Sequence, residues 1–150
     1  MTIKPITADD IEECARMYLR AYNQPPWNYN FTYDKAVKYL AEYFERKRFT
    51  GFVLIEGSKV AGAMFGHAKT WWTNDLLYVD EFFISPDKQR LGYGKLLLDH
   101  TEKYARAQGY EVVALLTSKY MPAMKFYKSI DFIAAEHFVF LFKPLGTPSR

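Results

Sequence analysis

Hydrophobic and polar positions change period several times along the 150 residues, and each change marks a structural element. Residues 2–6 read as a short strand, and Thr7-Ala8-Asp9-Asp10 supplies a capping-box start to a helix. Ile11, Cys14, Ala15, Tyr18 and Tyr22 then recur at helical spacing. Residues 24–30 contain Pro25-Pro26-Trp27; proline removes a backbone donor and restrains its predecessor, so this stretch must be a loop. Thr32 is placed to cap a second helix, running to Arg46, whose apolar face is Ala36, Val37, Leu40 and Phe44.

Extended patterns follow. Residues 52–55 and 60–70 read as strands joined across Gly57-Ser58, an antiparallel hairpin, and Gly62 and Gly66 in its second arm predict a bulge or a close approach by another chain or a ligand. The apolar run 76–84 is a third strand of this block. After a glycine-rich stretch, a helix over 93–108 shows the face Leu96, Leu97, His100, Tyr104 and Ala107, and Gly109 closes it. His100 on that face reads as packing or surface. A strand over 111–117, a short helix over 122–128, closing strands at 132–134 and 138–142, and a frayed tail at 146–150 complete one domain, 1–150, without repeat or linker.

Candidate chemistry concentrates where the 76–84 strand meets the helix at Tyr93. There Gln89-Arg90-Leu91-Gly92-Tyr93-Gly94 forms a glycine turn before a helix start. Glycine lets backbone amides approach a ligand, and the unpaired donors and positive dipole end of the helix favour phosphate oxygens. A dinucleotide fingerprint fails because Leu97 stands where its third glycine belongs, and a nucleotide-triphosphate loop fails because Leu96 follows Gly94-Lys95. What remains, Gln-x-x-Gly-x-Gly, resembles the coenzyme A pyrophosphate loop of the GNAT superfamily of N-acetyltransferases. A second stretch, Ala123-Met124-Lys125-Phe126-Tyr127 leading to Phe132, resembles that family's later motif. Two departures stand out: Asp131 replaces the customary Gly before Phe132, and Tyr120 stands where many members carry an Asn that binds the pantetheine arm.

The resemblance covers residues 52–142, and the element order βααβββαβαβ looks like the same fold. It implies an α/β (α+β) architecture: a mixed, mostly antiparallel sheet of six to seven strands flanked by about four helices. It also implies acetyl-CoA as co-substrate, with the pyrophosphate on the backbone of Leu91, Gly92, Tyr93, Gly94 and Lys95, and Gln89 and Arg90 at the loop entrance. By the same likeness Phe82, Phe83 and Ile84 line the acetyl-pantetheine end, as do Ala123 and Phe126. Tyr127 is matched to the tyrosine that supplies a proton or hydrogen bond to the departing thiolate, with a core tyrosine as the plain alternative.

A base must collect a proton from the attacking amine, and Asp80 and Glu81 are the acidic residues on the strand. Adjacent strand residues point to opposite faces unless a bulge intervenes, so one alone would face the site directly; Glu81 is the favoured base, and Asp80 is assigned with Trp27 to the acceptor side. A structural ion pair is the alternative for Glu81. The histone-acetylating branch carries its base eleven residues before the loop glutamine, and that position here is Tyr78. The implied acceptor is a primary amine of a small molecule, peptide or protein, and a non-catalytic acyl-CoA-binding module is the alternative function. Homodimerisation, common in this fold, is open to the aromatic C-terminal strands.

Composition narrows the partners further. A net charge of +3, dispersed along the chain, does not argue for nucleic acid. The single cysteine, Cys14, excludes an internal disulfide framework, and no Cys/His spacing calls for a metal. No segment is apolar and long enough to span a membrane and no signal sequence is evident, so a cytoplasmic location with no membrane partner is expected. The 12 Tyr, 12 Phe and 3 Trp are dense enough for part of their ring surface to line a pocket, with plain core as the alternative for most of them, and Trp71-Trp72 read as either an aromatic wall or core.

Overall fold

The computed structural model describes residues 1–146; the remainder of the expected tail, 147–150, lies outside the described residues. Two compact units are present, residues 1–116 and the residues from 117 onward.

In the first unit β1 (Thr2–Pro5) leads through a single 3-10 turn into α1 (Ile11–Tyr22). The Thr7 amide donates to Asp10 Oδ2 at 2.8 Å, which satisfies one of the donors a helix start leaves open. α2 (Tyr33–Phe44) begins where Thr32 Oγ1 accepts from the Lys35 amide at 3.1 Å, and it ends two residues before the expected Arg46. The strands β2 (Phe49–Glu56), β3 (Lys59–Lys69) and β4 (Leu76–Ile84) form an antiparallel meander. α3 (Tyr93–Ala107) then crosses over to β5 (Val112–Leu115), which lies parallel to β4. The sheet order is β1-β2-β3-β4-β5, mixed and mostly antiparallel as expected.

The sheet separates two apolar clusters. On one face α1 and α2 bury Cys14, Met17, Tyr18 and Leu40 against Val53, Ala63, Phe65 and Phe83. On the other α3 buries Leu97 and Ala105 against Phe52, Met64, Leu77, Val79 and Ile84. Strand alternation explains this partition: Phe52 and Val53, or Met64 and Phe65, are neighbours in sequence and go to opposite faces. Cys14 is fully buried and its thiol is pushed up to about 12 by burial and the nearby Asp10 and Glu13 carboxylates, an inert core residue. His100 packs its ring on Phe52 at 4.6 Å, the packing role its helix face predicts.

Two expectations change. The sheet has five strands among the described residues, not six or seven: 132–134 and 138–142 carry extended-prone sequence but are laddered to nothing. Phe138, Val139, Phe140, Leu141 and Phe142 are all more than 70% exposed, so these side chains gain no burial to offset the entropy of ordering a strand. The second change concerns Trp71 and Trp72, which are not core. They sit in the β3–β4 turn, and Trp72 is 84% exposed.

The second unit contains α4 (Pro122–Ser129), started by proline in its first turn, where the missing amide costs nothing. It ends as the Phe132 amide donates to the Tyr127 carbonyl at 3.0 Å, with Asp131 at φ 73°. That left-handed angle is the one the family's glycine would adopt, and aspartate reaches it more readily than most residues. No helix among the described residues is long and apolar enough to cross a membrane.

Candidate active site

A bulge in β4 shapes the site. Phe65 of β3 pairs with Glu81, yet the next residue, Gly66, pairs with Val79, so Asp80 is an extra residue in its strand. Before the bulge Leu77 and Val79 face α3; after it Phe83 faces α1 and α2 while Ile84 faces α3. The inserted residue reverses the alternation, so Asp80 and Glu81 both turn toward the α1–α2 face. This corrects the expectation that only one carboxylate could do so. Gly66 makes the kink sterically feasible: a Cβ there would lie 2.6 Å from the Tyr78 carbonyl oxygen.

The two carboxylates differ in their surroundings. Asp80 has two polar partners: Oδ2 lies 2.7 Å from His67 Nδ1 and Oδ1 accepts from Arg46 Nη1 at 3.2 Å, with its side chain only 7% exposed. Glu81 has no cation among its neighbours in the described residues, and Oε1 accepts a short hydrogen bond from the Tyr39 hydroxyl. Burial pushes its carboxyl up from the ordinary 4.5 to about 7; the Tyr39 bond works against this shift and the Asp80 charge adds to it. Burial and the Glu81 charge in turn push the Tyr39 hydroxyl up and keep it protonated. A carboxyl poised near neutrality can take a proton and return it, whereas Asp80 is committed to its Arg46 ion pair. Among the described residues no basic side chain pairs with Glu81.

Beyond Val79 the β4–β5 ladder ends, and residues 80–84 are laddered to β3 alone. β4 then passes through a 3-10 turn at Pro86–Lys88 into the glycine stretch. Gln89 is extended and its Nε2 donates to the Ile84 carbonyl at 3.3 Å, bracing the turn against the strand end. Arg90 and Gly92 adopt left-handed angles, φ 64° and 82°, and α3 starts at Tyr93. The Leu96 amide donates to the Gly92 carbonyl at 3.1 Å, closing the first turn. The amides of Tyr93, Gly94 and Lys95 are therefore the open donors of the helix end. A Cβ on Gly92 would meet no atom within 4 Å, and Leu91 is 60% exposed, so the turn is open on its outer side. Glu56, at the end of β2, holds the base of the turn through Lys88 Nζ at 2.7 Å and the Tyr93 hydroxyl. Open amides and an exposed Arg90, with no acidic residue in the first turn of α3, suit a diphosphate.

The sequence matches the model of the Acetyltransferase (GNAT) family over residues 11–132. The chain belongs to this family. It is 25% identical over 139 residues to an uncharacterized N-acetyltransferase of Methanocaldococcus jannaschii, MJ1207, covering 87% of this chain and 60% of that protein. The chain thus spans about three fifths of that relative's length. Among solved structures it is similar to an aminoglycoside acetyltransferase, meta-AAC0020, from an uncultured soil metagenomic sample, crystallised with sisomicin (TM-score 0.75, 19% identity, 97% of this chain and 96% of that one). It is also similar to AAC(6')-Iy in complex with a bisubstrate analogue of coenzyme A and acetylneamine (TM-score 0.74, 15% identity, 95% and 97% coverage). At these identities the structural likeness shows the fold.

In this GNAT chain the rings of α1 and the 23–31 loop gather beside β4. The 23–31 loop is stitched across its base by Asn23, whose Nδ2 donates to the Phe31 carbonyl at 2.8 Å and whose Oδ1 accepts from the Phe31 amide at 3.2 Å. It gathers Trp27 and Tyr29 around Tyr22, with Tyr22 and Tyr29 stacked at 5.5 Å and Trp27 edge-on at 5.3 Å. The Tyr22 hydroxyl donates to the Phe82 carbonyl at 3.2 Å, linking this ring group to the strand of Glu81. Ala123, Phe126 and Tyr127 lie together on α4 in the second unit. Tyr127 is 7% exposed, with the Phe126 and Phe132 rings each 5.3 Å away. Tyr120 is 88% exposed.

Sequence reasoning missed Tyr39, Tyr43, Arg46 and His67. Tyr39 and Tyr43 are spaced i, i+4 on a helix whose other face is apolar, which places two hydroxyls on one flank. His67 is a polar residue inside an otherwise buried strand, the kind of position that must find a partner.

Proposed function

We propose that this chain transfers an acetyl group from acetyl-CoA to a primary amine, on a small molecule or on an exposed amine of a peptide or protein, by direct attack on the thioester. The observation that carries this reading is the β4 bulge. It turns a carboxyl without a cationic partner toward the aromatic face, on a strand that runs on into the open amides of α3. When bound, acetyl-CoA supplies the electrophilic thioester carbonyl. The amides of residues 91–95 and Arg90 hold the diphosphate, and the β4 backbone over Phe82, Phe83 and Ile84 holds the pantetheine arm where the β5 ladder has ended. A backbone N–H aimed at the developing oxyanion is worth about 3 kcal/mol.

An alkylamine has an ordinary pKa near 10.4, so at neutral pH only about one molecule in several thousand is uncharged. Glu81 takes the proton at its carboxylate oxygen, which Tyr39 orients, and Trp27 and its ring neighbours flank the acceptor. Tyr127 donates a hydrogen bond to the departing thiolate. The solved neighbours named for aminoglycosides, and one crystallised with sisomicin, place aminoglycoside amines in the acceptor panel beside polyamines, amino acids and peptides. Thiol release from acetyl-CoA across that panel tests the reading. Release with at least one amine is expected, with Glu81→Gln lowering kcat about a hundredfold on that amine. Binding of acetyl-CoA without release on any amine would return the chain to a non-catalytic acyl-CoA-binding module.

A further inference from the structure

Glu81 can act repeatedly only if the proton it accepts leaves again, and the acetyl-transfer reading does not say how. Its carboxyl is half-buried beneath α1 and α2. The hydrogen-bonded connection that leads from it is a pair of phenols. Tyr39 Oη bonds Glu81 Oε1, and Tyr39 Oη and Tyr43 Oη are 3.1 Å apart. Tyr43 carries this chain one helical turn along α2, toward the helix end and away from the 23–31 loop where the acceptor is placed. At that outer end Arg46 lies over the Tyr43 ring at 5.7 Å and donates to Asp80 Oδ1.

We infer that Tyr39 and Tyr43 form a proton relay that returns Glu81 to its ionised state, discharging beside the Arg46–Asp80–His67 cluster; this rests on the acetyl-transfer reading. The step balances without any ionic intermediate. The new Glu81 O–H donates to Tyr39 Oη as the Tyr39 proton passes to Tyr43 Oη and the Tyr43 proton passes to water. Three O–H bonds break and three form, and the excess proton appears in solvent. Concerted transfer is required because burial disfavours ionised Tyr39. Burial also holds Tyr43 up, as do the Glu81 and Asp80 charges, against the lowering effect of its Tyr39 bond and of Arg46.

The cluster suits the outlet. Asp80 fixes the His67 ring through Nδ1, and no buried side-chain nitrogen or oxygen among the described residues lacks a partner. His67 Nε2 makes no bond to the described residues, so it must reach solvent. The charged and titratable groups around the path are Tyr18 and Tyr22 from α1, Tyr39 and Tyr43 from α2, Arg46 just beyond it, His67 from β3, and Asp80 and Tyr78 from β4. Arg46 is the fixed cation of this set and stands at the outlet, where it disfavours a proton lingering.

Tyr43→Phe removes the second hydroxyl and leaves the Tyr39–Glu81 bond in place. The experiment measures thiol release by wild type, Y43F and Tyr39→Phe, each with a reactive amine, at low buffer and with added imidazole, in light and heavy water. The relay predicts for Y43F a kcat about tenfold lower at low buffer with KM for the amine unchanged, a larger solvent isotope effect, and recovery with imidazole. Y39F, which cuts the path at its first hydroxyl and also removes the bond that orients Glu81, must show a larger loss than Y43F, of which imidazole restores a part. Wild-type kcat, isotope effect and buffer response in a folded Y43F would overturn the relay while leaving the transferase reading intact. A Y43F defect that imidazole does not relieve would also overturn it. Absence of thiol release by wild type with every amine would overturn both readings at once.

Discussion

At the residue scale, the difference between Asp80 and Glu81 comes from their partners. Both are carboxylates on one strand, yet one is paired with Arg46 and bonded to His67 while the other meets the Tyr39 hydroxyl. The folded chain raises the Glu81 carboxyl from 4.5 to about 7, so folding favours its protonated form. The stability that goes with this form is complete below pH 4.5, is lost as pH rises through 7, and is absent above it. Ionised and buried, Glu81 then costs the fold up to about 3 kcal/mol. Glu81→Gln should therefore be more stable than wild type above pH 7 and similar to it near pH 4, read by denaturant titration at the two pH values. The same substitution lowers turnover, so stability and activity should move in opposite directions. Sequence reasoning could name the two carboxylates but not separate them, because their distinction depends on Arg46 and Tyr39, more than thirty residues away in the chain.

At the element scale, one inserted residue in β4 sets the site. The glycines of β3 carried this in advance: Gly62 and Gly66 predicted a bulge or a close approach, and at Gly66 both are present. What the pattern could not reveal is which residue of the partner strand is extra, since register is fixed by packing on both faces of the sheet. Gly66→Ala would force its new methyl against the Tyr78 carbonyl and is expected to cost about 1–3 kcal/mol of stability. Because the cost falls on the bulge, kcat should drop as well while acetyl-CoA affinity stays near that of wild type, checked by calorimetric titration. Gly92→Ala acts at the other end of the strand. Its Cβ meets open space, so the penalty is the left-handed backbone angle alone, about 1–2 kcal/mol, and here acetyl-CoA affinity is the quantity expected to fall. The β–turn–α unit from Leu76 to Ala107 was legible because its signals are local: an apolar run, a glycine turn and a helical period.

At the scale of the whole molecule, the first unit carries Glu81, the aromatic 23–31 loop and the glycine turn along β4 and its continuation, and the second unit carries Tyr127 on α4. The closing strands were the part of the sheet that sequence pattern overstated. The segment 138–142 has strand composition, but composition does not provide a ladder partner, and these side chains are exposed. Tyr127→Phe should lower kcat about tenfold with little change in KM for either substrate, measured by steady-state thiol release; an unchanged kcat would remove Tyr127 from the chemistry. The account as a whole depends on Glu81 being the group that must lose its proton before the amine can. The most direct test is the pH dependence of kcat/KM for wild type and Glu81→Gln with the same amine. Wild type should rise through an acid limb near pH 7, and the variant should be slower and lack that limb. The same limb in both proteins would contradict the assignment.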